Sequence, residues 1–161
     1  MPFSGVESAS GAGRPDIAAD LVEYLVVSIP DTAVVDAVAA ELTEAVAASL
    51  IRILDLAVIT VDGGGRVELL DPEHVPALGA VRDVTVPWGV FLSRHDLELI
   101  GLSLHPGSCA VVVVVEDRWA EPLAAAVRGS GGRVHAGERI ARERVELAWA
   151  HRDDRREEPS R

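Results

Sequence analysis

Apolar positions along the chain fall into two periods. In "LVEYLVVSIP" (21–30), Val22, Tyr24 and Val26 share one side while Leu21, Leu25, Val27 and Ile29 share the other. Alternation therefore predicts a strand apolar on both faces, ended by Pro30. From Asp31, a suitable N-cap, the spacing lengthens: Val34, Val38, Leu42, Val46 and Leu50 form one i, i+4 stripe. That spacing predicts a helix to about Leu50, with Asp36, Glu41 and Glu44 on its solvated face. "IRILDLAVITV" (51–61) reads as a second strand, and "DGGGR" (62–66) supplies the glycines that a hairpin turn needs before "VELL" (67–70) returns.

Residues 71–92 have no period and are broken by Pro72, Pro76 and Pro87. Ser93 with Asp96 three residues on opens a helix whose stripe is Leu97, Ile100 and Leu104, stopped by Pro106-Gly107. "SCAVVVVV" (108–115) is the third strand. Asp117 cannot cap the helix that follows, because Pro122 would then lie five residues in and remove a first-turn hydrogen bond. The helix is expected to begin near Trp119 or Ala120, with "EDRW" (116–119) as a turn. It ends at Gly129. "RVHAGERI" (133–140) reads as the last strand and "ARERVELAWAHR" (141–152) as a closing helix.

Without residues 67–106 the order is strand, helix, strand, strand, helix, strand. This predicts an α+β fold, a ferredoxin-like split βαβ sandwich with a helical and hairpin insert between strands two and three. The domain is expected over 20–151, between a disordered leader (1–19) and a disordered charged tail (152–161).

Composition narrows the classes. Hydrophobic residues make up 48% of the 161 and aromatics 4%, so the core must be aliphatic. All fifteen basic residues are Arg, and the formal charge is −11. Residues 151–161 balance four Arg against four acids, which leaves eleven Arg against twenty-two acids in the body. Such a body repels polyanions, and nucleic-acid binding is not expected. The longest apolar runs fall short of the roughly 20 residues needed to span a bilayer, and no secretory signal pattern opens the chain. One cysteine cannot form an internal disulfide, which fits a reducing cytoplasm.

Candidate chemistry is scattered. Asp55 interrupts an apolar strand, on the side expected to hold Ile51, Ile53, Ala57 and Ile59; it is either a buried acid or a strand residue accepting hydrogen bonds, and the second reading is preferred. Glu116 and Asp117 precede the positive end of a helix dipole, which is reason enough for two acids there. Trp119 is expected to plug one end of the core. The five histidines show no metal-ligand spacing, His105 and Cys109 straddle a Pro-Gly turn, and Cys109 reads as a small buried hydrophobe. No metal and no cofactor are expected.

Four stretches, "EYLVVSIP" (23–30), "IRILDLAVITVDGGG" (51–65), "LHPGSCAVVVVVEDRWAEPLAAAVRGSGG" (104–132) and "ERI" (138–140), together resemble a family of small acidic bacterial proteins of unknown function. The L-x-P-G-S-x-A pattern leading into the third strand is also similar to a membrane-associated stress-protein family. The resemblance implies a ferredoxin-like fold and carries no activity; the glycine-rich apolar hairpin of the membrane-associated relatives has no counterpart here. The function expected is a non-enzymatic, self-associating module binding a small ligand or a partner in stress physiology; its strands are apolar on both faces, so the second sheet face is expected to be covered either by a second copy of the chain, as a dimer, or by the helices at 93–105 and 141–151 folding over it. The alternative is an acid/base enzyme with a pocket between the sheet and residues 71–105, using Asp55, Glu116 or His105, with Trp88, Asp117 and Trp119 as ligand contacts.

Overall fold

The computed structural model describes residues 16–30, 34–85, 91–135 and 140–148. Five valines in succession, Val111–Val115, are β-branched and favour extended backbone. They form the middle of β4 (Cys109–Asp117), in which every residue from Cys109 to Glu116 is buried. β4 is enclosed laterally by β1 (Val22–Ile29) and β2 (Ile51–Val61), antiparallel to both, so β1 and β2 run parallel with β4 between them. β3 (Val67–Leu70) pairs with the far end of β2, and the four-stranded order is β1-β4-β2-β3. Asp62 closes the β2–β3 turn, its Oδ1 accepting from the Gly64 and Arg66 amides, while Gly65 takes a φ of +83°.

Two helical layers flank the sheet unequally. α1 (Val35–Ala47) and α2 (Gly79–Val84) cover one face; Val35, Ala39, Leu78 and Val81 pack there against Ile29, Ile53, Val58, Val111, Val113 and Val115. α3 (Arg94–Leu102) lies on the other face, where Leu97 joins Ala57, Ile59 and Val112 and is flanked by Ile100, Leu104, Val67 and Leu69. α4 (Glu121–Gly129) closes a small third cluster with Leu21, Ala120 and Ala124. Residues 142–148 form α5. Among the described residues no helix is long and apolar enough to cross a membrane.

The α+β class matches the sequence reading, and several local expectations need correction. Of the expected α1 stripe, Val38, Leu42 and Val46 pack against the core, whereas Val34 and Leu50 at its ends are exposed and Val35 and Ala39 beside it are buried. The expected cap, Asp31, lies outside the described residues. Residues 71–84, expected to be irregular, make two 3-10 turns at Pro72 and Pro76 and then α2, which places Leu78 and Val81 in the core. Residues 133–135 of the expected last strand carry no strand, and 136–139 lie outside the described residues. Residues 16–18, expected in the leader, hold defined contacts, and Ala19–Leu21 make a 3-10 turn.

The largest correction concerns β2. Ile53 faces Val115 on β4 and Asp55 faces Val114, so Leu54 is an extra, bulged residue. A bulge shifts the two-residue alternation. Before it, Ile51 and Ile53 pack toward α1; after it, Leu56 and Val58 do. Asp55 shares the α3 face with Ala57 and Ile59 and is separated from Ile51 and Ile53.

Candidate functional site

α3 covers the second sheet face only over β3, β2 and the adjoining half of β4. Across β1 the face stays open, with Tyr24 64% and Val26 39% exposed. Tyr24 pairs with Val114 and Val26 with Val112 in the β1–β4 register. Between β1 and α3 this opening deepens into a cleft of about 510 Å³, lined by Val22, Glu23 and Tyr24 of β1, Val114 of β4, and Phe91, Leu92, Asp96, Leu99 and Ile100. Its size and mainly apolar wall fall within the range of small-molecule sites.

Asp55 positions one wall of this cleft. Its Oδ2 accepts hydrogen bonds from the Phe91 and Leu92 amides, each 3.0 Å, and its Oδ1 accepts from the Leu56 amide at 2.9 Å. β3 pairs with β2 only from Val58 onward, so at Asp55 the outer side of β2 has no strand partner among the described residues. The carboxylate takes the place of a ladder there and fixes the segment leading into α3. Ser93 caps that helix, its side chain accepting from the Asp96 amide while its hydroxyl donates to Asp96 Oδ2 at 2.5 Å. The capping residues read from the sequence thus set the position of the acid on the cleft wall.

Glu116 lies on the same face, one register step along β4, beneath the segment at residues 16–20. It is 2% exposed and belongs to the strand rather than to a turn. Oε1 accepts from the Ala18 amide at 2.8 Å; Oε2 lies 3.1 Å from Arg52 Nη1 and 3.8 Å from Arg118 Nη1, without the alignment of a hydrogen bond. Arg52 Nη1 also donates to the Asp16 carbonyl, and Arg128 bridges Asp20 and Glu121. This cluster lines a polar crevice of about 520 Å³ and fastens residues 16–20 to the end of the sheet.

The remaining candidates sit elsewhere. His105 is exposed in the turn before β4, its carbonyl accepting from Ser108, at the opposite end of that strand from Glu116. Asp117 is the last residue of β4, opposite Ile51. Trp119 is 64% exposed and plugs nothing; its amide donates to the Leu50 carbonyl at 3.1 Å, and the indole stands outside the core because the 3-10 turn Arg118–Ala120 buries Ala120 instead. Pro122 occupies the first turn of α4, where its missing N–H costs nothing, which accounts for the late helix start expected from the sequence. Trp88 lies outside the described residues. Among the described residues no group of His, Cys, Asp and Glu has the arrangement of a metal site. Comparison with protein-family models, curated proteins and solved structures finds no match for this chain.

Sequence reasoning missed Tyr24, Phe91, Leu99 and Asp96 as wall residues of the cleft. No local signal marked them, because singly exposed apolar side chains such as Leu99, Leu102 and Leu123 are ordinary on a protein surface.

Proposed function

We propose that this chain is a non-enzymatic binding module of ferredoxin-like topology, akin to the family of small acidic bacterial proteins that its four stretches resemble. Its working surface is the open half of the second sheet face. The observation that carries this reading is the cleft at Tyr24, Phe91 and Leu99, apolar and open on a face that α3 covers only over β3, β2 and half of β4. The parallel pair β1 and β2, joined through α1 and separated by β4, supports the topology. The acid/base alternative finds no matching cluster among the described residues: Asp55 is engaged by two amides, Glu116 by Ala18 and Arg52, and His105 stands at the far end of β4.

The uncharged dye Nile red tests the proposal. A monomer that binds it at a single site, with binding lost in Tyr24→Arg, is the expected result; a monomer that does not bind it would sink the reading. A second reading, self-association, is favoured by the continuation of the apolar band from Tyr24 onto Val26 beyond the cleft. Light scattering decides between the two, because a dimer that Tyr24→Arg returns to monomer means that a second copy occupies this face.

A further inference from the structure

Resting on the ligand-binding reading, we infer that residues 16–20 are a releasable strap over the inner end of the cleft, and that the closed strap competes with a ligand longer than the cleft for one floor. Three residues form a row across the sheet beneath it: Val22 of β1 pairs with Glu116 of β4, and Glu116 with Arg52 of β2. The adjoining row on the same face holds Tyr24 and Val114, which line the cleft, as does Val22 itself. Same-face neighbours along a strand are about 7 Å apart, so the floor of the cleft runs on directly beneath the strap.

The contacts that hold the strap are few and mostly polar. Glu116 Oε1 accepts from the Ala18 amide at 2.8 Å, Arg52 Nη1 donates to the Asp16 carbonyl at 3.0 Å, and Arg128 Nη1 donates to Asp20 Oδ2 at 3.0 Å. Ala18 is its apolar anchor, beside Leu21, Ala120 and Ala124. None of residues 16–20 is itself buried, so little apolar area opposes release. The closed arrangement is also incompletely satisfied: Glu116 Oε2 and Glu121 Oε2 are shut off from solvent without a hydrogen-bond donor among the described residues. Water reaching those atoms on opening recovers part of that cost. Segments held in this way open locally, at far less free energy than the whole fold. Release uncovers the Glu116–Arg52 row and joins it to the wall of Tyr24, Phe91 and Leu99, which lengthens one cleft rather than making a second site.

Ala18→Pro in the full chain isolates the latch. Ala18 has a φ of −74°, which proline adopts, so the substitution removes the N–H that Glu116 holds without straining φ. Exchange at the Leu21 amide, which donates to the Ala18 carbonyl, reports release and should rise while protection at Val113 holds. Nile red should then bind Ala18→Pro at least about five-fold more tightly than the unmodified chain, and by reciprocity saturating dye should speed exchange at the Ala18 amide of the unmodified chain. Arg128→Gln, which loosens Asp20 instead, should act in the same direction. Equal dye affinity in the two variants and the unmodified chain would overturn the gate and leave the cleft standing. Weaker binding on release would overturn it too, because the strap would then be part of the ligand's wall, and so would a strap that stays protected in both variants. A dye that binds none of the three chains would remove cleft and gate together.

Discussion

Glu116 Oε2 lies 3.1 Å from Arg52 Nη1, across the β2–β4 ladder, with the carboxylate 2% exposed and the guanidinium 27%. A charge buried this deeply depends on its partner, because removal of one member leaves the other desolvated and unpaired. Arg52→Met should therefore cost about 3 kcal/mol, at the low end of the range for a broken buried pair since Arg118 remains 3.8 Å away. Urea unfolding measures it. A change below about 0.5 kcal/mol would mean that water already screens the pair. The same variant should speed hydrogen exchange at the Ala18 amide, which Glu116 Oε1 holds.

Trp119→Ala makes the contrasting case. An indole 64% exposed has little area to lose, so stability should change by no more than about 0.5–1 kcal/mol. The sequence pattern alone places Trp119 in the core, where truncation costs about 3–5 kcal/mol. Chemical denaturation separates the two values without ambiguity, and a loss in the larger range would put the side chain back inside.

Asp55→Ala should remove the acceptor for Phe91 and Leu92 and lower stability by about 2–3 kcal/mol, as expected for charge-assisted bonds to backbone amides. Hydrogen exchange gives the sharper readout. Protection at Phe91 and Leu92 should fall well before protection at Val113, and uniform loss across the sheet would show that Asp55 supports the whole core rather than one wall of the cleft.

Gly101 is buried on α3 against β3, where an added Cβ would overlap the Val67 side chain. Gly101→Ala should destabilise by up to about 2 kcal/mol, an overpacking cost of about 1–3 kcal/mol less the roughly 1 kcal/mol gained in helix propensity. Combining it with Val67→Ala should recover most of the loss. Failure of the double variant to recover would locate the constraint in the helix backbone instead of in the contact.

The amino-acid sequence by itself determined the elements whose causes are local. The valine run dictates β4, the glycines after Asp62 dictate the hairpin, Ser93 with Asp96 dictates where α3 starts, and Pro122 forbids α4 to begin at Asp117. Each of these rests on steric or hydrogen-bonding limits that act within about five residues. Only the tertiary structure decided which apolar faces are covered and what the acids hold. Period-two counting runs straight through Leu54 because a bulge leaves no mark in the hydrophobic pattern, yet it moves Asp55 away from Ile51 and Ile53 and turns it toward Phe91 and Leu92. Glu116 reads as a helix-dipole acid until Arg52, 64 positions earlier in the chain, is brought beside it by the ladder. Tyr24 and Trp119 are both large and aromatic, and nothing within their own segments says that both remain exposed. Burial is a property of what packs on top, and that depends on contacts between residues far apart in the chain, which no local period encodes.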